Sequence, residues 1–259
     1  MSVEPSLVEY IQGYPIASMT IRECITSIVD RLETKQKGRY FVCANPHSLE
    51  VARNDLAFDR AIRNAKLVVP DGIGIVIASK ILGGCIRERV TGMDIFLGLS
   101  DTLNRKGKYS YFFLGSTDEN LARIRQKMQN DFPNIRVAGS YSPPFKTEFS
   151  NEENRLIIET VNQAQPDVLW VGMTAPKQEK WVYRNRDKLN VKFIGPVGAV
   201  FDFYTGNVTR SHPVFQRMGL EWLPRLIREP RRLWRRNFIS NPRFILRVLY
   251  SKLRHVKNG

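Results

Sequence analysis

An α/β fold is what this sequence predicts: a mainly parallel sheet with helices on both faces, followed by a basic helical C-terminal appendage. Three observations carry that expectation. Short runs that are apolar throughout, such as Tyr40–Ala44, Tyr109–Leu114 and Val168–Val171, recur along residues 40–194. Segments of helical length with one apolar face separate them. Strands buried on both faces, alternating with amphipathic helices, form a Rossmann-like sheet between two helical layers. Beyond residue 204 the alternation stops and arginines accumulate. The expected division is an α/β domain over 1–204 and a basic amphipathic appendage over 205–259.

The elements follow in order. Residues 1–38 read as a lead-in with a helix near Ile21–Leu32, then the strand Tyr40–Ala44 and a helix over His47–Asn64. Lys66–Val69 is the next strand, with helices on either side of the ERVTGMD segment. Tyr109–Leu114 ends in Gly115-Ser116-Thr117, from which a helix runs to Asn130. Ile135–Ala138 is a shorter strand, and Pro143-Pro144 marks the loop after it. A helix over Glu152–Gln163, the strand Val168–Val171, a helix over Pro176–Leu189 and the strand Val191–Ile194 complete the sheet. There is no internal repeat and no low-complexity tract.

Composition narrows the class. An apolar fraction of 42% with 25% charged residues is ordinary for a folded soluble chain. No apolar run reaches the ~18 residues that cross a bilayer. The acidic N-terminus lacks a charged-then-apolar signal pattern, so export is not expected. Cys24, Cys43 and Cys85 are odd in number and unclustered, which suits reduced cytosolic thiols and gives no zinc-type spacing.

Charge is the unusual feature. The net charge is +15, and residues 205–259 hold thirteen Lys or Arg against Glu221 and Glu229, about +11 of the total. Such an asymmetry points to an anionic partner for the tail. Trp234, Phe238, Ile245, Leu249 and Leu253 recur among the arginines, and Pro230 and Pro242 divide the stretch into short helices. A basic amphipathic helix of this kind suits an anionic membrane surface, where each Lys or Arg contributes about 1 kcal/mol. The alternatives are a docked helical extension with a solvated basic face, and a module whose Arg/aromatic tail binds nucleic acid.

The stretch Lys66–Asp94 is where chemistry is expected first. Leu67, Val68 and Val69 meet Pro70, and Asp71-Gly72 opens a new apolar segment. A buried parallel strand ends this way, and ligands of open α/β sheets sit just beyond such tips. Asp71 is thus either a catalytic carboxylate or the cap of the following helix. Gly72-Ile73-Gly74 starts like a dinucleotide fingerprint but has Ile77 where the third glycine belongs, so no NAD site is expected.

The ordered blocks NPHSLEVA, LVVPDGIGIV, ERVTGMD, FFLGS, PDVLWVGMTAPKQEKW, GPVGAVFDFYTG and GLEWLPRLIREPRRLWRR, spanning Tyr40 to Arg243, resemble the WecG/TagA/CpsF glycosyltransferases, family 26. The resemblance implies an inverting transfer from a UDP-sugar donor to an undecaprenyl-diphosphate-linked saccharide, in bacterial surface or exopolysaccharide biosynthesis. It makes 1–204 a catalytic domain and 205–259 a membrane-associating appendage, peripheral on the cytoplasmic face of the inner membrane. The family's base corresponds to Asp71, with Arg89 and Gln178 beside it. Asn45 and Asp202 correspond to residues that hold the nucleotide sugar. Without the family, Arg89 reads as an ion-pair partner of Asp94 and Gln178 as a helix-surface residue.

The departing nucleoside diphosphate needs its charge stabilised, and the chain contains no D-x-D motif to hold a metal. The resemblance assigns that task to tail arginines, here Arg225, Arg232 and Arg235, with no metal and no cofactor. It implies no nucleic-acid partner, and self-association as in other members. One departure stands out: Cys43 occupies the position of a family Thr in the substrate site, and a thiol is a poorer hydrogen-bond donor than a hydroxyl. That departure puts the acceptor sugar in question, not the reaction type. With the basic tail it inclines the reading toward exopolysaccharide assembly.

Overall fold

The computed structural model of the chain describes residues 8–209, 226, 234 and 236–257. A hairpin comes first. β1 (Val8–Ile11) and β2 (Tyr14–Ala17) pair antiparallel around a turn in which Gln12 and Gly13 both have positive φ. Strands of four residues give too little alternation to be read in advance, so the lead-in holds more structure than expected. Helix α1 (Ile21–Leu32) is opened by a reciprocal cap between Thr20 and Glu23.

Six parallel strands then form one sheet: β3 (Arg39–Ala44), β4 (Leu67–Pro70), β5 (Ser110–Gly115), β6 (Arg136–Tyr141), β7 (Val168–Gly172) and β8 (Phe193–Pro196). Their order across the sheet is β4-β3-β8-β7-β5-β6. The α/β class and the parallel sheet are therefore as the sequence indicates. The last strand lies at Phe193–Pro196, two residues beyond Val191–Ile194, and β6 runs on to Tyr141.

Period-two alternation divides the strand side chains between two cores. Tyr40, Val42, Phe112, Leu114, Leu169, Val171 and Ile194 face a layer containing α2 (Pro46–Ala52), α3 (Leu56–Arg63), α4 (Ile73–Leu82), α7 (Asn151–Ala164) and α8 (Lys177–Asn185). Phe41, Tyr111, Phe113, Trp170 and Phe193 face α1, α5 (Gly92–Lys106), α6 (Asp118–Asp131) and α9 (Val200–Thr205). The single helix expected over His47–Asn64 is two. Asp55 interrupts it by accepting from Phe58 N at 3.0 Å, which starts α3 afresh. The aromatic layer is closely interlocked, with Phe96 edge-on to Trp170 at 5.0 Å and Phe113 edge-on to Phe201 at 5.6 Å. At Gly172 a Cβ would lie 2.3 Å from the Phe201 ring, so the glycine lets α9 lie directly over the tip of β7.

Helix α10 (Asn241–Lys257) follows a π-helical turn at Arg236–Ser240. Its Phe244 and Val248 are fully buried in the first core, against α2 and α4. Burying a Phe or Val side chain contributes roughly 1.5–3 kcal/mol, so this docking face holds the helix to the body. Arg247 Nε meets Glu50 Oε1 at 3.2 Å, and His47 Nδ1 lies 2.9 Å from Ser240 Oγ. Burial and the Arg236 charge hold the His47 pKa below its ordinary value. The apolar stripe anticipated from Trp234 through Leu253 is not the docking face. Trp234, Phe238, Leu249 and Leu253 are exposed, and only Ile245 of that set packs on the core.

Candidate active site

All six strands point the same way, so their carboxyl ends share one edge of the sheet. Ala44 and Pro70 are register partners, and Asp71 N donates to Ala44 O at 2.8 Å, which sets Asn45 and Asp71 side by side. Val90 N donates to Pro70 O at 2.9 Å and stitches the segment carrying Arg89 to the same tip. Gly72 has φ 104 and ψ 148, a conformation that side chains resist, and a Cβ there would come within 3.9 Å of Asn45 Cβ. At Gly74 a Cβ would be 2.5 Å from Pro46 Cγ. The two loops are pressed together by the absence of side chains.

Asp71 is separated from α4 by one residue. The N-cap residue of α4 is Gly72, which has no side chain of its own to cap the helix. The Asp71 carboxylate is partly buried and directly precedes that N-cap residue. Asn45 does cap its own helix: its Oδ1 accepts from Ser48 N at 3.0 Å, which fixes the orientation of the amide. Asp94, the alternative ion-pair partner for Arg89, closes a capping box with Thr91 at 2.7 and 2.9 Å.

Cys43 sits one residue inside the β3 tip, packed on the second core, with Sγ 3.5 Å from where a Cβ on Gly92 would stand. Burial pushes its thiol well above the ordinary range, and the negative charges of Asp71, Glu179 and Asp94 add to the effect. It is a neutral thiol at physiological pH. That these carboxylates act on one sulfur also puts Asp71 and Glu179 in a common neighbourhood.

Gln178 is buried, not on the helix surface. Its Oε1 accepts from Gly198 N at 3.0 Å and its Nε2 donates to Glu179 Oε1 at 2.8 Å. The amide thus ties α8 to the loop after β8. Glu179 went unread in the sequence. It is 3% exposed, burial pushes its carboxyl up to about 7, and its Oε2 has no hydrogen-bond partner among the described residues. The signal was present: residues 178, 179 and 182 share one helix face, and Val182 is apolar.

Asp202 stands farther along the edge, in the first turn of α9, where its Oδ1 accepts from Asn120 Nδ2 at 3.0 Å. Asn120 is a second residue the sequence did not single out. The tips of β3, β4 and β8 thus gather Asn45, Asp71, the Arg89 segment and Gln178, with Asp202 over β7 on the same edge. Arg225, Arg232 and Arg235 lie outside the described residues.

Chemically, the edge offers a partly buried carboxylate beside two oriented side-chain amides. A group so placed can accept a proton from an incoming hydroxyl. Among the described residues no group of three or more His, Cys, Asp or Glu is placed to hold a metal ion. None of their helices is long and apolar enough to cross a membrane. A cleft of about 600 Å³ lies at the opposite, amino end of the strands, lined by Leu32, Glu33, Lys108, Tyr109 and Lys192, and none of the candidate residues borders it.

Comparison with known proteins adds an independent finding. The model of the glycosyl transferase WecG/TagA/CpsF family matches residues 9–258. The chain is 32% identical over 229 residues to an N-acetylglucosaminyldiphosphoundecaprenol N-acetyl-beta-D-mannosaminyltransferase of Bacillus spizizenii, covering 87% of this chain and 86% of the relative. A Bacillus subtilis protein of the same name is 30% identical over the same shares. A Staphylococcus aureus one is 26% identical over 93% of this chain and 92% of its own length.

Proposed function

Because the chain belongs to the WecG/TagA/CpsF glycosyltransferase family, we propose that it moves a hexosyl residue from a UDP-sugar to a polyprenyl-diphosphate-linked sugar, with inversion. The observation that carries this reading is the placement of Asp71 at the tip of β4, beside Asn45 and on the edge that also holds Gln178. The acceptor hydroxyl attacks the anomeric carbon on the face opposite the diphosphate. A new C–O bond forms as the bond to the diphosphate breaks, Asp71 takes the hydroxyl proton, and UDP departs. Gln178, fixed between Gly198 and Glu179, orients the reacting sugars, and Arg89 stands at the same tip. Asn45 and Asp202 bind substrate, and Cys43 shapes the acceptor side. Arg225, Arg232 and Arg235 close over the diphosphate and balance its charge in place of a metal.

The acceptor is lipid-borne, so the enzyme works at a membrane surface, as a peripheral protein on the cytoplasmic face. The geometry of α10 supports this. Leu246, Leu249, Tyr250 and Leu253 follow the i, i+3, i+4, i+7 pattern and are all exposed, with Arg243, Arg247 and Arg254 on the same helix. The relatives' names favour N-acetylmannosamine as the donor sugar over glucose or a uronic acid. The test is a screen of UDP-N-acetylmannosamine, its uronic acid and UDP-glucose against N-acetylglucosaminyl-diphosphopolyprenol, with linkage analysis of the product. A product with the donor's configuration retained overturns the inverting mechanism. No transfer from any UDP-sugar overturns the donor class.

A further inference from the structure

Asn120 is 2% exposed and lies in the first turn of α6, outside every motif that marks the site. All of its amide's hydrogen-bonding capacity is used. Nδ2 donates to Ser116 Oγ at 2.8 Å and to Asp202 Oδ1 at 3.0 Å. Oδ1 accepts from Thr205 Oγ1 at 2.7 Å and from Asn207 Nδ2 at 2.8 Å. One buried amide therefore joins three things: the tip of β5, the Asp202 carboxylate, and the chain where it leaves α9, at Thr205 and Asn207.

Each neighbour is itself constrained. Ser116 has φ 64, in the left-handed region that non-glycine residues seldom occupy, and its carbonyl accepts from Ser142 Oγ at 2.7 Å. Asn207 Oδ1 accepts from Arg123 Nη1 at 2.8 Å, and Val208 N donates to Asp202 O at 3.1 Å. A satisfied network of this kind has a single low-energy arrangement, since any rotation of the amide leaves buried donors and acceptors unpaired. Local packing does not require an asparagine at this helix position. Leu121 and Ile124 supply the apolar contacts of α6, and Thr117 already caps it.

We propose that Asn120 is a positioning residue: it holds Asp202 in place for the nucleoside-diphosphate part of the donor and fixes to the same amide the start of the C-terminal segment. This rests on the reading of Asp202 as a donor-binding residue given above. The enzyme then has its donor pocket and the chain leaving α9, as far as Asn207, built on one side chain.

The test is UDP binding to the full-length chain by calorimetry, comparing wild type, Asn120→Ala, Asp202→Asn and the double variant. Each single change is expected to weaken UDP binding about tenfold, the size of losing one hydrogen bond to a charged group. The double variant should bind no more weakly than the weaker single, because Asn120 acts through Asp202. Additive losses, or an Asn120→Ala protein with unchanged UDP affinity, overturn the proposal and leave the donor reading standing. If wild type does not bind UDP, or Asp202→Asn leaves binding untouched, the donor reading falls and the proposal with it. Should Asn120→Ala fail to fold, Asn120→Asp keeps the size and both acceptor contacts but turns a carboxylate toward Asp202. A loss of UDP affinity of at least tenfold then supports the proposal, and unchanged affinity overturns it.

Discussion

The carboxyl edge of the sheet and the C-terminal helix are built on opposite terms. At the edge, polar side chains are enclosed and tied to one another: Gln178 to Gly198 and Glu179, Asn120 to Asp202, Asn45 to Ser48. Along α10, apolar side chains are left exposed, while Phe244 and Val248, with Ile245 beside them and Arg247 paired to Glu50, bind the helix to the body. The difference teaches which part folding encloses and which part it leaves with apolar side chains exposed. A site for chemistry has to exist before substrate arrives, and apart from Glu179 Oε2 the groups just named are paired in advance. An apolar stripe at i, i+3, i+4 and i+7 on a docked helix has a face to spare, and only an apolar phase would satisfy it.

Substitutions can break this contrast from either side. The largest effect belongs to the edge: Asp71→Asn should lower transfer by about 10²–10⁴-fold, the scale of a missing general base, with liposome flotation unchanged. A single-turnover assay checks it, and equal rates would remove Asp71 as the base. On the helix, Phe244→Ala should cost about 3–5 kcal/mol of docking stability, seen as faster proteolysis beyond residue 236. Intact protection would mean that the docking face lies elsewhere.

Glu179→Gln probes the enclosed edge through pH. The Glu179 carboxyl is raised from 4.5 to about 7, so the folded state keeps its proton where the unfolded chain has lost it. Stability from this group is therefore lost as pH rises from about 4.5 through 7, on the order of 2 kcal/mol between pH 5 and 8. The variant's denaturation midpoint should be flatter with pH than that of wild type. Parallel curves would mean that Glu179 is ionised throughout.

The exposed stripe comes next. Leu249→Ser with Leu253→Ser should weaken binding to anionic vesicles roughly 10–100-fold and leave the melting temperature within a degree or two of wild type. Unchanged flotation would overturn the proposal that this stripe contacts the membrane. Smallest is Arg247→Ala. Its pairing with Glu50 is half in solvent and should contribute under about 1 kcal/mol to stability.

Much of this contrast could be read before any coordinates. Strands apolar on both faces announced a parallel sheet, and Pro70-Asp71-Gly72 announced a strand tip with a carboxylate. The arginine count announced a tail unlike the body. These are local signals, carried by residues within a few positions of each other. The hairpin at Val8–Ala17 and the break at Asp55 escaped because each rests on a very short element or a single cap.

The two apolar faces of α10 escaped for another reason. Phe244 and Val248 are as apolar as Leu249 and Leu253, and helical periodicity does not say which stripe meets α2 and α4. Glu179 and Asn120 went unseen on similar grounds: a carboxyl's neutrality depends on complete enclosure, and three of the amide's four partners lie 82 to 87 positions away. The sequence by itself thus determined the class of fold, the strand tip that carries Asp71 and the basic character of the tail. Which polar groups are buried, which neighbours they satisfy and which face of the last helix stays open were decided only by the tertiary structure, because burial and hydrogen bonding belong to pairs of segments brought together from distant parts of the chain.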